Sequence, residues 1–223
     1  MLSQKNPGKS LLKPESVEQS TNDFVHAFNN LLTAILSNIS MAKMGSPPAS
    51  DQYKILSEAE SAVDEAKELT KQFFSSNYKA ATEKTEGDIQ VDVQEAFFEN
   101  RKVLVIDDDK RAGVAMCKML EHLGFKVEYV RESSAAIDHY KEVEHPFDLV
   151  VLDLMVPGKK ATDTLKEIQQ YDPDVKAIVC SGYLNDPIME NFREYGFRGA
   201  TTKPYEISEL SQVLSQVLSD SSQ

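Results

Sequence analysis

Lys102-Val103-Leu104-Val105-Ile106 runs directly into Asp107-Asp108-Asp109. No other stretch restricts the fold of this chain as much. A short apolar run of this kind reads as a strand buried in a sheet. Carboxylates crowded at its end repel one another unless a cation lies between them. Mg²⁺ suits such a place, because it takes a few carboxylates, several waters and a phosphate. The strand end is therefore a candidate phosphoryl-transfer site.

From Lys102 onward, apolar strand patterns alternate with helical ones. Strands are predicted near 102–107, 125–130, 148–152, 176–180 and 198–202, and helices near 110–122, 133–143, 161–170, 186–195 and 206–218. Five such units imply an α/β domain, a parallel sheet wound on both faces by helices. Ligands in that architecture bind at the carboxyl ends of the strands. Asp107 and Asp108 lie at one such end. A third strand delivers Asp153 to the same edge, a fourth delivers Ser181, and a fifth delivers Lys203 followed by Pro204. The chemistry is coherent. Asp107 and Asp108 would hold Mg²⁺, and Asp153 would accept a phosphoryl group as an acyl phosphate. Lys203 would neutralise the phosphoryl oxygens, and Ser181 would donate a hydrogen bond to one of them.

The first half has a different rhythm. Phe24, Phe28, Leu31, Ile35 and Ile39 recur at helical spacing, widened by Val25, Leu32 and Leu36. Gly45 to Ser50 breaks the pattern, and Asp51 is placed to cap a second helix. That helix is expected to bury Leu56, Ala59, Val63, Ala66, Leu69, Thr70 and Phe73. The short connection predicts an antiparallel hairpin over residues 17–78, after a disordered stretch at 1–16. Such a hairpin leaves apolar surface uncovered, and pairing with a second copy into a dimeric four-helix bundle would cover it. Residues 79–100 read as a linker, with a short helix around 93–98, and residues 101–223 as the α/β domain.

Charge and composition exclude several classes. The net charge of −12 divides equally between residues 1–100 and 101–223, so no basic arm or face supports nucleic-acid binding. Gly8-Lys9-Ser10 looks like the end of a P-loop, but Ser3 stands where its first glycine belongs. No run of about 18 apolar residues indicates a membrane span. The polar first twenty residues lack the apolar segment of a secretory leader. Cys117 and Cys180 lie in apolar segments and read as core residues of a cytoplasmic protein rather than a disulfide.

Asp107-Asp108, Asp153, Ser181 and Lys203-Pro204 match, in order and spacing, the motif of two-component response regulators. Residues 102–219 resemble their receiver domain, which has a flavodoxin-like fold. Ser181-Gly182-Tyr183 and Glu194-Tyr195-Gly196-Phe197 resemble receivers attached to hybrid histidine kinases. The resemblance implies phosphorylation on Asp153, with Mg²⁺ bound by Asp107, Asp108, Asp153 and the main-chain carbonyl of Met155. Three positions depart from the family. Ala161 replaces a glycine after the phosphoacceptor. Ala200 stands where an aromatic switch residue is usual, a role Tyr183 would have to take over. Met155 and Tyr183 flank the site with bulk that would slow hydrolysis.

His26 lies on a polar stripe with Asn30, Thr33, Ser37 and Ser40. The surrounding Val25-His26-Ala27-Phe28-Asn29-Asn30-Leu31-Leu32 resembles the phosphoacceptor box of histidine kinase dimerisation domains. Ala27 replaces the acidic general base of that box. Residues 79–100 leave no room for an ATP-binding domain between hairpin and receiver, so no autokinase activity is expected. An imidazole that passes phosphate to or from an aspartate remains. The expected protein is a phosphorelay component, exchanging phosphate among Asp153, His26 and a sensor histidine kinase, downstream receiver or phosphotransfer protein. Two other readings compete: a phosphatase or phosphate sink using Asn30, and a dimeric switch without catalysis. With no output domain expected after the receiver, either would act through protein contact.

Overall fold

The computed structural model describes residues 14–75, 98–142, 146–182 and 186–219. Two long helices come first, α1 (Pro14–Met44) and α2 (Asp51–Ser75). Helix α1 begins three residues ahead of the predicted 17, at a proline, whose fixed φ suits a first helical turn. Ser50, rather than Asp51, caps α2: its hydroxyl accepts from the Tyr53 N–H. Lys43 near the end of α1 pairs with Glu60 of α2. Leu32, Leu36 and Val63 form the buried seam between the helices, flanked by Phe28, Ile39 and Ala66.

The second half alternates β1 (Lys102–Ile106), α3 (Lys110–His122), β2 (Lys126–Val130), α4 (Ser133–Glu142) and β3 (Leu149–Asp153). It continues with α5 (Ala161–Ile168), β4 (Ala177–Ser181), α6 (Pro187–Glu190), β5 (Gly199–Thr202) and α7 (Ile207–Ser219). The five strands pair in parallel, in the order β2-β1-β3-β4-β5. Alternation along β1 sends Val103 and Val105 to one face and Leu104 and Ile106 to the other. The first face is covered by Met116, Met119 and Leu120 of α3 and Leu210 and Leu214 of α7. The second is covered by Ile137 and Tyr140 of α4 and Leu165 and Ile168 of α5. This doubly wound parallel sheet fits the flavodoxin-like fold.

The helix predicted over 186–195 is instead two short pieces. Asp186 caps α6, with Pro187 in its first turn, and the chain breaks at Asn191. A 3-10 turn then spans Phe192–Tyr195 and stops at Gly196, which adopts φ 91°. Phe98, assigned to the linker, is buried and stacks on Phe125 at 4.9 Å. The α/β unit therefore begins by Phe98, because this ring closes its first core. The other residues read as a short helix near 93–97, like the rest of 76–97, lie outside the described residues.

The face that α1 buries is the surprise. Asn29, Asn30, Thr33, Ser37 and Ser40 are buried, while Phe24, Leu31 and Ile35 are exposed. Leu32 and Leu36 of the apolar stripe are buried against α2, and Phe24, Leu31 and Ile35 are the part of it left open within one chain, as is Leu69 of α2. The polar stripe is covered because α1 lies along α3 and over the carboxyl ends of the strands. Ser37 donates across this contact to the Ala115 carbonyl, at 3.4 Å. No helix among the described residues is long and apolar enough to cross a membrane.

Candidate functional site: a phosphoryl-transfer centre capped by a histidine helix

The three acids after β1 have separate tasks. Asp109 caps α3, accepting from the N–H groups of Arg111 and Ala112. Asp107 is buried and accepts from the Asp109 N–H at 2.9 Å. Asp108 is half-buried, and its Oδ1 is enclosed without a hydrogen-bond partner among the described residues. The neighbouring strand holds this turn in place. The Tyr129 hydroxyl donates to the Asp107 carbonyl, and the Arg131 guanidinium donates twice to the Asp108 carbonyl. Gly113 makes the Tyr129 position available, since a Cβ there would meet its ring at 2.5 Å.

Parallel pairing of β1 with β3 brings Asp153 beside Asp107. Oxygens of Asp107, Asp108 and Asp153 lie within 4.8 Å of one another. Such a set fits a hard divalent cation, and the enclosed Asp108 Oδ1 is a ligand atom without another task. Met155 follows Asp153, with its N–H donating to Asp153 Oδ1 at 3.0 Å and its side chain exposed. Ser181, at the end of β4, is fully buried. Ala200 is half-buried against the second core, and Ala161 starts α5. Tyr183 lies outside the described residues.

Lys203 reaches this centre from beyond β5 and is buried. Its Nζ donates to Asp107 Oδ2 at 2.7 Å, to Asp153 Oδ2 at 2.5 Å and to Asn30 Oδ1 at 3.1 Å. The last contact joins the hairpin to the sheet. His26 Nε2 lies 3.6 Å from Asp153 Oδ2, and Asn29 Nδ2 donates to the Gly182 carbonyl at 2.6 Å. Among the described residues, Asp107, Asp108, Asp153 and Lys203 are thus brought to one place with His26 and Asn30. Asn29, Gly182, Tyr129 and Arg131 were not singled out. Asn29 stands one turn from His26 on the same helix face, and Arg131 follows the strand that neighbours β1, so spacing alone could have suggested both.

The contacts also decide which His26 nitrogen carries its proton. Lys203 is only a donor, so the Asn30 oxygen must face it. The Asn30 amide nitrogen then faces His26 Nδ1, at 3.3 Å. An amide nitrogen donates, so Nδ1 accepts and the proton is on Nε2, the atom nearest Asp153.

Electrostatics follow from burial and three charges. Burial alone would raise the Asp153 pKa, but Lys203 and His26 outweigh it and hold the carboxyl below the usual range. Burial would lower the Lys203 pKa, but Asp153 and Asp107 outweigh it and raise it. Asp107 is pushed up to about 6, by burial first and then by Asp153, against the pull of Lys203. The folded, cation-free site thus holds this proton more tightly than an unfolded Asp does. That stabilisation is full below 3.8 and is lost as pH rises through about 6. A bound cation must displace the proton. Mg²⁺ affinity is expected to fall by up to about ten-fold per pH unit below 6 and to level off above it. Calorimetric titration from pH 5 to 8 checks this, and a flat affinity would exclude it.

Residues 103–215 match the response regulator receiver domain family. The chain belongs to that family. Its receiver is 29% identical over 118 residues to Protein CcdB of Bacillus subtilis, an alignment covering 52% of this chain and 97% of that one. Sporulation initiation phosphotransferase F of the same organism is 24% identical over 119 residues, covering 53% and 94%. The non-phosphorylated HemR receiver domain of Leptospira biflexa superposes with a TM-score of 0.50 at 25% identity, covering 56% of this chain and 98% of that one. The chain is a two-component signal transduction protein. The family match does not extend to the hairpin.

Proposed function

We propose that this chain is a phosphorelay protein in which Asp153 accepts a phosphoryl group and His26 exchanges it. The observation that carries this reading is the 3.6 Å approach of His26 Nε2 to Asp153 Oδ2, beside the Lys203 ammonium. Asp107, Asp108, Asp153 and the Met155 carbonyl would hold Mg²⁺, which when bound would neutralise charge on the phosphoryl oxygens. Asp153 attacks phosphorus through a carboxylate oxygen while the donor's own bond to phosphorus breaks. Lys203 and Ser181 then face the phosphoryl oxygens. For transfer to His26, a nitrogen lone pair forms the N–P bond as the Asp153 carboxylate leaves. Nε2 must first give up its proton, and a shift to Nδ1 requires Asn30 to release one of its present partners. A phosphoryl group also needs space between His26 and Asp153, so α1 must draw back. A 330 Å³ cavity beside His26 is lined by Lys110, Arg111 and Arg131 and also by Asp108 and Asp109, so basic and acidic groups share it.

Ala27 offers no general base for an attack on ATP, so phosphate enters from a partner histidine kinase or phosphotransfer protein and leaves to one. The exposed stripe of Phe24, Leu31 and Ile35, together with Leu69, supports a homodimer through the hairpin. Leu31→Glu is expected to shift the chain toward monomer, read by sedimentation at micromolar concentration. An unchanged wild-type monomer mass would rule the dimer out.

The central experiment supplies a small acyl phosphate with Mg²⁺ and distinguishes the two phosphoamino acids by acid and base lability. Wild type is expected to carry both, and His26→Gln only the acyl phosphate. Phosphohistidine persisting in His26→Gln would overturn the assignment. The buried Asn30, in contact with both Lys203 and His26, favours a second reading in which its amide orients water onto the acyl phosphate. In the same assay, a longer-lived acyl phosphate with transfer intact in Asn30→Ala would select that reading.

A further inference from the structure

We infer that Asn29 and Gly182 form a clamp that seats the histidine helix on the receiver of its own chain and keeps Asp153 covered until it opens. The inference rests on the phosphorelay reading of Asp153, but the contact itself does not. Asn29 is buried, and its amide donates to the Gly182 carbonyl at 2.6 Å, the shortest hydrogen bond from α1 to the receiver given above. Gly182 follows Ser181, so this bond fixes α1 directly over the end of β4. The absence of a side chain at Gly182 is equally specific. A Cβ there would lie 3.3 Å from Asn29 Cβ and 3.6 Å from His26 Cα. The second distance is ordinary contact, but the first is tight, so a methyl group would ask Asn29 to give by a few tenths of an ångström at the point where its amide is held.

Helical geometry makes the clamp relevant to chemistry. Asn29 is one turn from His26 and adjacent to Asn30, so its register sets theirs. With the clamp closed, Asn30 meets Lys203, His26 meets Asp153, and the Asp153 side chain is fully enclosed. A donor therefore has to wait for α1 to lift. Asn29 and Gly182 are positioning residues: they touch no reacting atom and act through the placement of His26 and the access to Asp153.

The test uses the full chain. Asn29→Ala leaves the Gly182 carbonyl without its donor and Gly182→Ala crowds the seat. Each is expected to raise the open fraction, and with it the rate of Asp153 labelling by a small acyl phosphate, about five- to thirty-fold. A residue needed only for folding would lower that rate. Unchanged or slower labelling in both variants overturns the clamp. Asn29→Cys combined with Gly182→Cys places two Cβ atoms close to disulfide range. Oxidation of the dilute chain is expected to give a bridge within one copy, identified by peptide mass, and to block labelling until a reductant is added. No bridge, or bridges only between copies, overturns seating within one chain. If the bridge forms but no variant is ever labelled, the docking stands and the phosphorelay reading fails.

Discussion

Replacing Lys203 with methionine is expected to destabilise the chain by about 3–5 kcal/mol at pH 7. The substitution keeps the buried volume and removes the charge. Asp107 and Asp153 then face one another without the ammonium that both now contact. Asn30 loses the donor that fixes its amide. The pH response separates this cause from a general packing defect. Burial favours the neutral form of each acid, so protonation relieves the variant. Its stability is expected to recover more steeply than that of wild type as pH falls from 7 to 5. Urea unfolding at the two pH values measures both quantities. A wild-type midpoint at pH 7 would show that the two acids do not depend on Lys203.

Replacing Asp153 with asparagine is expected to lower acyl phosphate formation on the order of 10³-fold or more. The amide has nearly the same shape but no nucleophilic carboxylate. It also leaves Lys203 with Asp107 as its remaining anion among these contacts. Folding is therefore expected to survive, which makes the loss interpretable. Labelling by a small acyl phosphate, with circular dichroism as the control for structure, measures the effect. Label retained at wild-type rate in Asp153→Asn would move the phosphoacceptor to another residue.

The sheet and its edge were readable because each rests on local pattern. The strand ends that carry Asp107, Asp153, Ser181 and Lys203 follow from apolar runs and the parallel order they impose. The helix over 186–195 was misjudged because its apolar residues Ile188, Met189 and Phe192 keep helical spacing across a break at Asn191. They pack on the second core from two short pieces instead of one helix. Ser50 rather than Asp51 caps α2, a choice between adjacent cap formers that composition does not make. The larger miss concerns α1. Its polar stripe of His26, Asn30, Thr33, Ser37 and Ser40 gave no sign of a partner within the chain, yet Asn30, Thr33, Ser37 and Ser40 are buried. The polar side is buried because the receiver offers it matched partners: the Lys203 ammonium, the Gly182 carbonyl and the Asp153 carboxylate. Such pairing depends on a surface assembled from β3, β4 and the segment after β5, and no window of sequence contains it.

The enclosure of Asp153 beneath α1 obeys a reciprocity. If seating the helix disfavours the phosphorylated receiver by some factor, phosphorylation must disfavour seating by that same factor. The two events are linked binding equilibria on one chain, and a single coupling free energy governs both. A stimulus read at Asp153 would then be reported at a distance, as a released helix that presents His26 and its polar stripe to other proteins. A partner that captures that helix would, in turn, make the aspartate easier to phosphorylate.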